Sequence, residues 1–172
     1  MPLIVFDTLP DDARLWIFAA SRRLTEHEEV RLLAATETFL AGWAAHQTPL
    51  ATAHEWRFNQ FLFVAVDEAA VGASGCSIDS LVTFVRELER QLEVRFTDHG
   101  SVWFRDQAGA IQCATREEFQ QVVDEGAVGP DTVVFDNTIQ TVGALRDGRW
   151  EVPASRSWHG PAFFSSHSAK AK

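Results

Sequence analysis

The stretch from Asp67 to Ser80, Asp-Glu-Ala-Ala-Val-Gly-Ala-Ser-Gly-Cys-Ser-Ile-Asp-Ser, holds the residue types best suited to chemistry. It leads from an apolar segment into an amphipathic one through small residues. A helix starting here presents unpaired N–H groups and a partial positive charge, and Gly72 and Gly75 let a ligand approach the backbone. Such a loop can hold a phosphate or carboxylate. The same composition, with Ser74, Ser77 and Asp79, also suits a plain helix cap, for which Ser77 or Asp79 is expected. Cys76 lies where a helix start favours the thiolate, which makes it a candidate nucleophile or redox thiol. A nucleophile needs a base. His46, His54 and His159 are available, but their spacing specifies no triad. His46 and His54 would need further ligands to hold a metal, and the sequence does not supply them. No metal and no cofactor is expected.

The only lysines are Lys170 and Lys172, so thirteen of the fifteen basic residues are arginines. A phosphate-binding P-loop needs Lys followed by Ser or Thr after its second glycine, and none is present. Hydrolysis of ATP by that mechanism is excluded, as is a Schiff base. Twenty-four acidic residues give a formal net charge of −9. A dedicated nucleic-acid binder needs a basic face to displace counterions, so nucleic acid is not the expected partner. An anionic membrane surface is disfavoured for the same reason. Arginine-rich, acidic composition also suits salt-adapted proteins, or a GC-rich genome.

Two cysteines, Cys76 and Cys113, make no disulfide framework, and the first residues have no basic region of a signal peptide. The longest apolar run, Phe61 to Val66, is too short to span a membrane. A cytoplasmic protein is expected. At 172 residues the chain suits one domain over 1–160, followed by a disordered tail over 161–172.

The elements that position these residues follow from pattern. Leu15 to Ala20 is short, apolar and aromatic, and reads as a buried strand. Thr25 and Glu28 form a capping box for a helix over 26–45, which Pro49 cannot continue. Ala51 to Trp56 alternates as an edge strand does. Phe61 to Val66 is apolar on both faces, as a covered central strand must be. Ile78, Leu81, Val82, Val85, Leu88 and Leu92 mark the second helix. Ser101 to Arg105 is a further strand. This β-α-β-β-α-β order predicts an α+β, ferredoxin-like core over about 13–106, with strand order 4-1-3-2 and the most apolar strands central.

Residues 107–160 read as a C-terminal α/β appendage. A second capping box at Thr115 and Glu118 opens a helix through Val123. Thr132 to Phe135 is a strand, Arg146 to Arg149 a turn, and Trp150 to Trp158 extended. Trp158 and His159 are expected to dock the tail onto the core, and Trp16, Trp43, Trp56 and Trp103 to pack rather than stack on bases.

Were strands one and three parallel neighbours, the loops leaving them would open at one sheet edge. Arg22 and Arg23 would then face Gly72 to Ser77 as a bidentate-capable anion site. Alternatively, Asp67, Glu68 or Glu26 neutralises those arginines in ordinary salt bridges.

The segments Asp11 to Phe18, Gly72 to Ser80 and Ser157 to His159 resemble an uncharacterised family of short bacterial proteins, often labelled "ABC transporter ATPase". The resemblance covers residues 5 to 159 and implies no particular activity. The residues point first to a non-catalytic domain binding a small anion or a protein partner. An enzyme using Cys76, and a purely structural or interaction protein, are the alternatives.

Overall fold

The computed structural model describes residues 3–98 and 100–165, a mixed arrangement of helices and antiparallel sheets. The chain falls into two compact units: Met1–Asp98 with Asn137–Arg146, and His99–Asp136 with Asp147–Lys172. The boundary differs from the expected core and appendage, because Ser101–Arg105 belongs to the second unit.

In the first unit, β1 (Arg14–Ala19) and β4 (Ala51–Arg57) flank β5 (Phe61–Asp67), and both pairings are antiparallel. This is the 1-3-2 part of the expected strand order. The expected fourth strand is not beside β1. After the helix Gly75–Leu92 the chain crosses the end of β1 instead, where the Ser21 N–H donates to the Arg95 carbonyl at 2.8 Å. The Gln140–Thr141 segment occupies the flank of β1 in its place: the Leu15 N–H donates to the Gln140 carbonyl at 2.8 Å, and Arg14 bridges Thr141. A complete ferredoxin-like sheet therefore does not form.

The double-faced apolarity of β5 has the predicted consequence. Leu62, Val64 and Val66 join Phe18 against Leu32 and Leu40 of α1 (Glu26–Gly42) and Leu81, Val85 and Leu88 of α2 (Gly75–Leu92). Phe61, Phe63 and Ala65 are equally buried on the other face, where Phe6 meets Phe63 edge-on at 6.4 Å. Helix α1 has its capping box and stops at Gly42, three residues early. A tight hairpin of β2 (Ala44–Ala45) and β3 (Thr48–Pro49) follows, turning through His46 and Gln47 at positive φ. Trp43 is buried, its indole N–H donating to the Ser77 carbonyl at 2.8 Å.

The second unit carries the four-stranded sheet β7-β6-β8-β9, formed by β6 (Ser101–Arg105), β7 (Ile111–Thr115), β8 (Val133–Phe135) and β9 (Glu151–Pro153). Helix α3 (Arg116–Asp124) starts from the second capping box and sets Phe119 and Val123 against Val102, Phe104 and Val134. A π-helical turn over Gly160–Phe164 buries Phe163 in the same core, so residues 161–165 are not the disordered tail that was expected. Residues 166–172 lie outside the described residues. The short helix α4 (Val142–Arg146), in the first unit, stands where the sequence suggests only the approach to a turn.

Candidate functional site

The residues of the expected anion site occupy the two ends of α2. Antiparallel pairing sets Ala19 opposite Phe61 and Arg14 opposite Val66, so the loops after β1 and β5 leave from opposite ends of the sheet. Arg22 bonds the Leu92 carbonyl at the C-terminal end of α2 at 3.0 Å, whereas Gly75 begins that helix. At 1.5 Å per residue, the 18 residues of α2 separate those ends by about 27 Å. The parallel arrangement that would join Arg22 and Arg23 to the glycine-serine loop is corrected accordingly.

Each end is also served by the chain's own groups. At the helix start the cap is Ser74, whose Oγ accepts from the Ser77 N–H at 3.2 Å; Ser77 and Asp79 lie within the helix. Glu68 Oε1 accepts from the Ala73 N–H at 2.9 Å, beside exposed Gly72, so an internal carboxylate serves this loop. Cys76 is exposed in the first turn, and no hydrogen bond joins it to a histidine among the described residues. At the other end, Arg22 makes a two-pronged pair with Glu28, at 2.9 and 2.8 Å. The hydrogen bond from Arg22, together with that from the Thr25 backbone, holds the Glu28 carboxyl down at about 2. Arg23 is exposed. A shallow cleft beside Arg86, Arg90 and Arg95 holds cations that are largely answered, Arg90 by Glu87 and Arg95 by Asp98.

The candidate bases are similarly dispersed. His46 sits in its tight turn, and His54 lies on β4, 4.0 Å from Glu37. His159 is buried in the second unit, its Nδ1 2.7 Å from Ser157 Oγ and its ring stacked on Trp158 at 3.9 Å. Burial pushes its pKa down to about 4; the Asp136 charge opposes this and the Arg116 charge reinforces it. The ring is 1% exposed, so this serine–histidine pair anchors the C-terminal segment rather than meeting a substrate. No group of three or more His, Cys, Asp or Glu among the described residues is arranged to hold a metal ion. No described helix is long and apolar enough to cross a membrane.

One concavity was not anticipated. It is an open groove of about 710 Å³ in the second unit, within the size range of ligand pockets. Phe104, Ala114, Val122, Ala127 and Val128 supply apolar walls, and Gln112 and Cys113 of β7 line it as well. Its charged lining residues are Asp106 and Glu118, both acidic. A side-chain hydrogen bond from Gln112, aided by the backbone N–H groups of Ala110 and Ala108, holds the Asp106 carboxyl below the usual range. The sequence signal for this site was slight: the Asp106–Gly109 turn followed by Ile-Gln-Cys-Ala-Thr implies a hairpin return strand ending at the capping box.

No protein-family description, curated protein or solved structure matches the chain.

Proposed function

We propose that the protein is a non-catalytic binding domain that takes a protein partner in the groove of the second unit. One observation carries this reading: the groove is large enough for several side chains, mostly apolar, and among the described residues has no histidine or arginine in its lining. Such a surface suits complementary apolar side chains better than the transition state of a reaction. The small-anion alternative has less support, because Glu28 and Glu68 already serve the groups expected to hold the anion. The thiol-enzyme alternative lacks a base hydrogen-bonded to Cys76 among the described residues.

The test is a library of random linear peptides panned on the full-length chain. Enriched peptides should bind wild type, Arg22→Ala and Cys76→Ser equally. They should bind Ala127→Arg at least about tenfold more weakly, since that exposed residue lines the groove. Equal binding to Ala127→Arg, with that variant folded by circular dichroism, overturns the reading.

A further inference from the structure

We infer that the groove recognises its partner by apolar burial and not by charge: the segment that enters it is a short cluster of uncharged apolar side chains, and its affinity tolerates high salt. This deepens the proposed function and rests on the groove being the binding surface.

The floor of the groove is the core of the second unit reaching the surface. Phe104 and Val128 belong to that buried core, and Ala114 and Val122 pack against it half-buried. The Phe104 ring meets the fully buried Phe119 edge-on at 5.0 Å, which fixes the floor. Ala127 lines the groove as an exposed residue. An occupant therefore continues an existing apolar core, and its gain scales with the apolar area it covers.

The two lining carboxylates are engaged in building the walls. Asp106 Oδ1 accepts from the Ala108 and Ala110 N–H groups, both at 2.9 Å, and Oδ2 accepts from the Gln112 amide at 2.7 Å. That carboxylate shapes the turn between β6 and β7 and holds a β7 side chain. Glu118 Oε2 accepts from the Thr115 N–H at 2.8 Å, and Thr115 Oγ1 accepts from the Glu118 N–H at 3.2 Å. These reciprocal bonds are the capping box that starts α3 at the end of β7.

Magnitudes decide between charge and burial. A lysine on the partner would meet carboxylates that are already hydrogen-bonded, at an open surface, where an ion pair contributes no more than about fivefold in affinity. Burying one valine or leucine side chain contributes at least about tenfold. A charged side chain of either sign over Phe104 and Val122 would forgo that burial and lose its own hydration. Gln107 and Gln112 are exposed and uncharged, and suit neutral polar groups beside the apolar cluster.

The experiment uses the full chain and the tightest-binding peptide from the random library, labelled with fluorescein. Fluorescence anisotropy measures its affinity at about 0.05 M and about 1 M sodium chloride, the latter screening exposed charges beyond about 3 Å. The affinity should fall by less than about fivefold, and a larger loss in high salt overturns the inference. Alanine scanning of the peptide should place its largest losses, at least about tenfold each, on apolar residues. Largest losses at lysine or arginine overturn the inference as well. If either contrary result comes with binding that Ala127→Arg still weakens, the inference fails and the groove reading stands. If no peptide binds in an Ala127-sensitive way, both fail.

Discussion

Arg22 and Glu28 meet through two parallel hydrogen bonds of 2.9 and 2.8 Å, and the same carboxylate accepts the Thr25 backbone N–H at 2.8 Å. One side chain therefore closes the first turn of α1 and secures the loop after β1. Glu28→Ala should destabilise the chain by about 1–2 kcal/mol, the scale of a lost helix cap with an ion pair. The Glu28 carboxyl is held at about 2, below its ordinary 4.5, so its contribution is complete above pH 4.5 and is lost as pH falls towards 2. Urea denaturation of wild type and variant from pH 7 down to 3 checks both points. A difference that stays constant over that range contradicts the assignment.

His159 gives a second, separable pH dependence. Burial holds it neutral in the native state to about pH 4, while the unfolded chain takes up a proton below about 6.5. Stability should fall between pH 6.5 and 4, by up to about 3 kcal/mol from this residue. His159→Gln should flatten the profile in that window, whatever it does to stability at neutral pH. An unchanged slope would falsify the placement of this ring.

Two helical glycines should respond oppositely to alanine. A Cβ on Gly143 would lie 2.9 Å from both the Cβ and the backbone carbonyl oxygen of Asp11, closer than packed atoms tolerate. Gly42 has nothing within 4 Å. Helix propensity alone favours alanine at both sites by up to about 1 kcal/mol. Gly143→Ala should instead lower stability by about 1–3 kcal/mol, and Gly42→Ala should be neutral or stabilising. Chemical denaturation midpoints decide, and a stabilised Gly143→Ala would show that α4 does not press on Asp11.

Cys76 should react with iodoacetamide faster than Cys113 in the native protein, because it is exposed whereas Cys113 is half-buried in the groove. Peptide mapping after brief labelling reads the ratio. Equal rates would mean that the first turn of α2 is covered. A bound panned peptide should slow Cys113 further and leave Cys76 unchanged.

The legible parts of the fold were those where local and global demands coincide. The two capping boxes, Thr25 with Glu28 and Thr115 with Glu118, formed as their spacing implies. The unbroken apolarity of Phe61 to Val66 announced a strand covered on both faces, and it lies centrally between β1 and β4. What was illegible depends on distant partners. Nothing local marks Val142 to Arg146 as helical, since Gly143 is there to let the backbone approach Asp11 and Arg146 to bond the Leu9 carbonyl. Strand direction was legible, because a strand inserted in a split β-α-β unit runs antiparallel to both neighbours, as β5 does; the parallel pairing that would have joined Arg22 to Ser74 is at odds with that order. Strand β7 escaped notice because an edge strand beside a groove needs little apolar content.

Hydrogen–deuterium exchange of the full chain, with and without a saturating panned peptide, tests binding in the groove of the second unit most directly. The account predicts slowed exchange confined to residues 111–128, spanning β7, α3 and the apolar wall. Protection centred on residues 68–80 at the start of α2, or no protection at a saturating peptide concentration, would contradict it.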